Sequence, residues 1–211
     1  MASSKIGIIP AAGKASRFGG LYKELLPLPD GKSMIEHAVD RLKFCDSIIV
    51  ITNCHKFHLH QELLGDRVVL LNQQGYELWG AIRTAFNHFD ADRYYFTMPD
   101  TYMRDDVFFN MPDASFSFGY FMTDEPERFG VFQDGKVTDK FGDAVIPAMA
   151  WGVLSWAKHI RDMWNDKRVE SYTDAINQAI MLDDWDKWPI GDYYDCANMQ
   201  RYMELLWHLK K

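Results

Sequence analysis

Cysteine is scarce in this chain: Cys45, Cys54 and Cys196 are the only three in 211 residues. Their odd number and wide spacing argue against a disulfide framework or a CxxC metal site and predict buried or inert thiols. Positive charge is also in short supply, with 23 lysines and arginines against 30 acids and a net charge of −7. Such a balance disfavours nucleic acid or an anionic membrane as partner, since both need a broad basic surface. No run approaches the roughly 20 apolar residues of a membrane span, and the N-terminus lacks the charged flank and apolar stretch of a secretory signal. A cytoplasmic location is expected. Repeats, low-complexity tracts and Pro/Gly-rich linkers are missing too, so with 47% hydrophobic residues one domain over residues 1–211 is predicted.

The positive charge that is present gathers near the start. Residues 6–28 read IGIIPAAGKASRFGGLYKELLPL. Lys5–Pro10 is a short β-branched run suited to a buried strand, and it stops at a proline that cannot donate to a ladder. Ala11, Ala12 and Gly13 then form a loop without bulk, through which backbone N–H groups can approach an anion or a flat base. Lys14, Arg17 and Lys23 follow within ten residues. A nucleoside triphosphate is the guest this pattern suits, and a surface turn with incidental charges is the competing reading. Two familiar phosphate loops are excluded. Five residues separate Gly7 from Gly13, and Ala15 follows Lys14, which breaks the Walker A pattern; the dinucleotide fingerprint fails because Ala15 stands at its second glycine.

Beyond the loop, hydrophobic periodicity predicts a helix over 34–44, with Ser33 and Glu36 as a capping pair, and a helix over 55–64. Ser47–Thr52, 68–71 and 93–98 read as strands, with a helix over 77–89 between the last two. Strands alternating with helices imply a parallel, doubly wound sheet that binds ligands at the strands' C-terminal edge. After Asp100 the pattern shifts to strands over 114–122, 129–133, 136–141 and 145–154, with Asp134-Gly135 as a hairpin turn. Helices near 156–164, 173–182 and 198–209 complete the chain. The predicted fold is α/β: a Rossmann-like, doubly wound mixed sheet, mainly parallel over 1–100 and mixed β/α over 101–211.

Chemistry on a triphosphate usually calls for Mg²⁺, which prefers carboxylate oxygens. Asp100 ends the apolar run Tyr94-Tyr95-Phe96-Thr97-Met98-Pro99 and reaches the same sheet edge as the first loop. On pattern alone it serves equally as a turn or cap residue. Asp195, in Tyr193-Tyr194-Asp195-Cys196-Ala197-Asn198, is open to the same two readings, ligand or helix cap.

Ala11-Ala12-Gly13-Lys14-Ala15-Ser16-Arg17 with Lys23-Glu24-Leu25-Leu26-Pro27-Leu28 resembles the signature of the nucleotidylyltransferases, small-Ala-Gly-x-Gly-x-Arg followed by Pro-Lys-x-Leu-x-Pro. Ala15 and Tyr22 depart from it, and Ala197-Asn198 stands where glycine-threonine is usual. The resemblance extends in order along the chain and favours the sugar-1-phosphate branch, with its GT-A-type nucleotide-binding fold. It implies that Asp100 and Asp195 hold Mg²⁺. It assigns Arg17 to the leaving pyrophosphate, Lys23 to the α-phosphate, and the Ala11–Lys14 backbone, Gln73 or Gln74 and Gly80 to the nucleotide. Phe129-Gly130-Val131 and Asp139-Lys140 resemble segments that place Lys140 at an acceptor phosphate, and Glu170 within 170–174 resembles a glutamate near the sugar. As lone residues, Lys140 and Glu170 also read as solvated charges. The implied reaction joins a nucleoside triphosphate to a sugar 1-phosphate, giving an NDP-sugar and pyrophosphate. The short spacer from Arg17 to Lys23 keeps in view a cytidylyl- or guanylyltransferase acting on a non-sugar phosphate. The altered motif positions keep in view a nucleotide binder without turnover.

Two constellations carry no chemistry on this reading. Cys54, His55, His58 and His60 resemble metal ligands, but His55 and His58 share one helix face and His60 points elsewhere, so a solvated helix is expected. The seven tryptophans are expected in core and pocket wall rather than on a base-stacking surface.

Overall fold

The computed structural model describes residues 3–14, 18, 21–75, 77–166 and 168–210. Five strands and three helices build the first half: β1 (Lys5–Pro10), α1 (Met34–Arg41), β2 (Ser47–Thr52), α2 (Phe57–Leu64), β3 (Val69–Asn72), α3 (Leu78–His88), β4 (Arg93–Thr97) and β5 (Thr101–Tyr102). The second half contains β6 (Phe116–Thr123), β7 (Gly130–Gln133), β8 (Lys136–Asp139), β9 (Ala148–Ala157), α4 (Lys158–Trp164), α5 (Tyr172–Leu182), β10 (Trp185–Pro189), β11 (Tyr194–Asp195) and α6 (Met199–His208). No helix among the described residues is long and apolar enough to cross a membrane.

One sheet spans both halves, in the order β10-β6-β9-β4-β1-β2-β3, with β7 and β8 joined to it through β9. Strands β1 to β4 run parallel, whereas β9 is antiparallel to both β4 and β6. The order places β1 between β2 and β4, where successive crossovers leave in opposite directions, and a crevice opens beyond the C-terminal ends of such strands. The first loop leaves β1 at this point, and the run to Asp100 leaves β4 beside it.

The uniformly apolar strands are covered on both faces, as their composition requires. Ile6, Ile8, Ile49, Ile51, Tyr94 and Phe96 join one core with α3, α4 and α5; Ile9, Ile48, Val50 and Tyr95 join the other with α1. Gly7 serves this packing rather than phosphate binding: a Cβ there would lie 2.9 Å from Leu42 Cδ1. A third cluster seats α6 through Tyr202 and Leu205 on Phe18, Leu28 and Met34, so the last helix braces the segment after Lys23.

Local signals account for most element limits. The Ser33–Glu36 capping box forms, with Ser33 N–H donating to Glu36 Oε2 at 2.8 Å. Asp134 and Gly135 take φ of 52° and 77°, the left-handed pair that a tight β7–β8 hairpin demands. Helix α2 starts two residues later than expected because Asn53 Oδ1 accepts the N–H groups of His55 and Lys56, at 3.0 and 3.2 Å, and holds them in a turn. Strand β9 starts after Pro147 rather than at 145 and continues to Ala157, paired with β4 and β6 on either side. Strand β10 was not expected: with Asp186 and Lys187 between its two tryptophans, it is an edge strand beside β6 and carries no apolar run.

Three surface expectations are corrected. Cys54 is exposed, while burial raises the thiol pKa of Cys45 and Cys196 to about 12. His60 is fully buried, although Cys54, His55 and His58 do lie at the surface. Trp207 is 66% exposed, unlike the core residues Trp79, Trp156 and Trp164.

Candidate active site

At the crevice, Pro10 and the loop of Ala11, Ala12 and Gly13 form one wall of an open cleft. Met98, Pro99 and Asp100 form the wall that leaves β4, Lys23 and Glu24 contribute from a 3-10 turn, and Gln73, Glu77, Leu78 and Ala81 line the side towards α3. Among the sequence-predicted residues, Ala11, Ala12, Gly13, Lys23, Gln73 and Asp100 therefore meet in a single cleft. Lys14, the next residue of the loop, is exposed. Arg17 lies outside the described residues.

Lys23 forms an ion pair with Asp100 Oδ2. Asp100 is 6% exposed, and its other oxygen, Oδ1, is buried without a hydrogen-bond partner among the described residues. The loop bearing it is pinned from below by Arg41, a fully buried α1 residue whose Nη2 donates to Met98 O at 3.3 Å and Thr101 O at 3.2 Å. Burial lowers the Arg41 pKa to about 10, which still leaves the guanidinium charged near neutrality.

Asp195 reaches this point from the far end of the chain because β11 pairs with β5, setting Asp195 opposite Thr101, and Cys196 N–H donates to Asp100 O at 3.1 Å. Burial, then the charge of Asp100, pushes the Asp195 carboxyl above its ordinary range, against the pull of Arg128 and Lys23. A carboxyl whose ionisation is opposed by burial and by the neighbouring Asp100, together with the orphaned oxygen of Asp100, suits a cation that keeps several of its waters. Among the described residues, no three His, Cys, Asp or Glu side chains gather into a fuller ligand set.

Asp195 also borders a second, charged pocket. Arg128 Nη2 donates to Asp195 Oδ2 at 2.5 Å and Nη1 to Glu125 Oε2 at 2.6 Å, while Arg201 of α6 grips Glu125 from the other side. Phe121, Phe129 and Tyr193 form its aromatic wall, the first and last stacked 3.9 Å apart. Lys140 and Glu170 are exposed and line neither pocket. Lys140 closes the β7–β8 hairpin, its N–H donating to Phe129 O at 2.8 Å, and Glu170 lies between α4 and α5.

Gln73 and Gln74 separate clearly. Gln74 is exposed, whereas Gln73 is buried at the cleft, with Nε2 donating to Glu77 O at 3.2 Å and Oε1 unpartnered among the described residues. Gly80 lies directly behind: an added Cβ would fall 2.6 Å from Gln73 Nε2. Gly80→Ala is therefore expected to swing the amide out of place, raising the nucleotide dissociation constant about tenfold with little change in the thermal midpoint, since a flexible side chain can yield. One unpaired base edge costs about 1–3 kcal/mol. Gln73→Ala should reproduce that loss in calorimetry and Gln74→Ala should not.

The whole architecture is similar to two solved structures. A Bacillus anthracis protein assigned as a glucose-1-phosphate thymidylyltransferase, solved with sucrose, superimposes with a TM-score of 0.84 at 21% identity, over 99% of this chain and 96% of that one. The inositol-1-phosphate CTP transferase of T. maritima superimposes with a TM-score of 0.76 at 12% identity, over 100% and 98%. At such identities the superpositions establish a shared fold. Residues 7–112 match the MobA-like NTP transferase domain, and the chain belongs to that family of nucleotidyltransferases. No curated protein matches the sequence.

Sequence reasoning missed Arg41, Lys56, Glu24, His60 and the Arg128–Arg201 pair. Only Arg128 had a signal, its place just before Phe129-Gly130-Val131; the others are charges that acquire meaning through distant partners.

Proposed function

We propose that this nucleotidyltransferase joins a nucleoside triphosphate to a sugar 1-phosphate, releasing pyrophosphate and an NDP-sugar. The observation that carries this reading is the meeting of Lys23, Asp100 and Asp195 between the nucleotide loop and a second, arginine-bearing pocket. An oxygen of the acceptor phosphate forms a bond to the α-phosphorus as the α–β bridging P–O bond breaks, and pyrophosphate leaves with that electron pair. The attacking phosphate is already ionised, so no protein base is needed, and catalysis reduces to positioning and charge stabilisation.

In this arrangement the backbone of Ala11–Gly13 and the Gln73 amide hold the base, and Lys23 turns from Asp100 to the α-phosphate. Arg17 serves the pyrophosphate. Mg²⁺ held by Asp100 and Asp195 would neutralise phosphate charge, and Lys23 keeps Asp100 paired in its place. Lys140 and Glu170 are set apart from both pockets, so we assign the acceptor phosphate to Arg128 and Arg201 instead. Arg128 Nη1 and Arg201 Nη2 already hold the Glu125 carboxylate and can exchange it for a phosphate.

A panel of sugar 1-phosphates and non-sugar phosphates, tested for nucleotide-dependent pyrophosphate release, checks the assignment. Release with a sugar 1-phosphate is expected, and Arg201→Gln should raise the KM for that acceptor about tenfold while leaving nucleotide affinity unchanged. Release only with a non-sugar phosphate would move the chain to the other acceptor class. Nucleotide binding without any release would make it a binding protein.

A further inference from the structure

Beneath the nucleotide loop lies a cluster of buried charge that the transfer step does not use. Lys56, held at the start of α2 by the Asn53 turn, is 1% exposed. Its ammonium donates to Ala11 O at 2.8 Å and to the carboxylate of Glu24, itself 3% exposed, and lies 5.0 Å from the centre of the Tyr22 ring. Behind it, His60 Nδ1 sits 2.8 Å from Thr52 Oγ1, and Nε2 faces Glu24 Oε1 at 3.7 Å, too long for a hydrogen bond. Burial opposes ionisation of Glu24, yet His60 and Lys56 together hold its carboxyl below the ordinary range. Asn53 Nδ2 meanwhile donates to Ala12 O at 2.7 Å.

A buried ion pair is a costly way to stabilise a fold, because desolvating both partners cancels much of their attraction, and apolar residues of equal volume often do better. Its geometry indicates another use. In a trans peptide the carbonyl and the following N–H point in opposite directions. Lys56 holds the Ala11 carbonyl and Asn53 holds the Ala12 carbonyl, so the N–H groups of Ala12 and Gly13 are turned away from those two side chains, on a loop that lines the cleft. Neither N–H donates to a backbone carbonyl among the described residues. Glu24 belongs to the 3-10 turn Lys23–Leu25, so the same ammonium fixes the backbone that carries Lys23.

We propose that Lys56 is a positioning residue which, through the Ala11 carbonyl and Glu24, holds the loop amides and the Lys23 turn in one fixed relation, with Asn53 completing the aim of the loop. The proposal rests on the nucleotidyl-transfer reading and adds a device that pre-sets the cleft before nucleotide arrives.

The test uses the full chain and three variants. Lys56→Met/Glu24→Gln removes the pair without leaving a lone buried charge. Well below its thermal midpoint it is expected to bind nucleoside triphosphate at least tenfold more weakly, to lose at least tenfold in kcat, and to exchange backbone hydrogens faster in residues 11–13 and 23–25. Asn53→Asp keeps an oxygen to accept the His55 and Lys56 N–H groups while removing the donor to the Ala12 carbonyl, and should weaken nucleotide binding several-fold while kcat stays within twofold. A brace that only stabilises the fold would not produce that split. If the double variant does not fold, Glu24→Gln takes its place, with the same loss of kcat expected. A lower thermal midpoint with affinity, kcat and exchange within twofold of wild type would overturn the proposal alone. Wild type that binds no nucleoside triphosphate would overturn the functional reading and this proposal with it.

Discussion

Lys23→Ala is expected to lower kcat by about 10²–10³, or roughly 2.7–4 kcal/mol of barrier, the usual cost of losing one preorganised electrostatic donor. The side chain is 27% exposed and ion-paired with Asp100, so it can turn to a phosphate without disturbing packing. A cation that only held the ground-state triphosphate would, once removed, weaken binding and spare turnover. One that meets charge developing on the α-phosphate lowers turnover itself. The second pattern is expected, with nucleotide affinity measured by calorimetry changing less than kcat. Lys23→Arg should rescue poorly, because a planar fork does not replace a compact ammonium in a tight turn.

The second large effect concerns the carboxylate pair. On the proposed function, Asp100→Asn and Asp195→Asn are each expected to reduce kcat to near background, since each would remove half of the carboxylate charge offered to the cation. Stability should respond differently. The Asp195 carboxyl is raised above its ordinary value by burial and by Asp100, so between the unfolded and folded pKa values the native state binds more protons than the unfolded chain. Stability therefore falls as pH rises through that window, with Arg128 offsetting part of the cost of the ionised form. Asp195→Asn should leave the thermal midpoint unchanged or slightly higher near pH 7, with a flatter dependence above the normal aspartate range. The linkage also predicts that Mg²⁺ weakens as pH falls through the raised pKa, because the ion competes with a proton. Magnesium titrations from pH 5 to 8 read this directly; an affinity independent of pH in the wild type would remove Asp195 from the ion's ligands.

The parts of this site readable from sequence are those set by short-range chemistry. The β1 run ends at Pro10 because proline cannot extend the ladder, and the three small residues that follow line the cleft. The β4 run delivers Asp100 in the same way. Asp195 was legible only through order along the chain, since its approach depends on two-residue strands too short for any periodic signal. What stayed hidden is buried charge. Arg41, Glu24, Lys56 and His60 belong to types rarely fully buried without a partner, and sequence alone does not reveal the partner. His60 illustrates this: next to His55 and His58 it reads as part of a wet face, yet it is enclosed by Thr52 and Glu24. The acceptor assignment shifted for a related reason. Lys140 follows a family-like hairpin but is exposed and lines neither pocket, whereas Arg201 carries no motif and reaches the second pocket from the packing of α6.

Attack of the acceptor's own phosphate on the α-phosphorus can be read from the fate of its oxygen atoms. Wild-type protein would be given nucleoside triphosphate, Mg²⁺ and a sugar 1-phosphate whose non-bridging phosphate oxygens carry ¹⁸O, with both products examined by mass spectrometry. The expected products are an NDP-sugar that retains every ¹⁸O atom, one of them now bridging the two phosphorus atoms, and unlabelled pyrophosphate. Label lost from the nucleotide-sugar, or nucleotide bound with no pyrophosphate formed, would contradict attack by the acceptor phosphate.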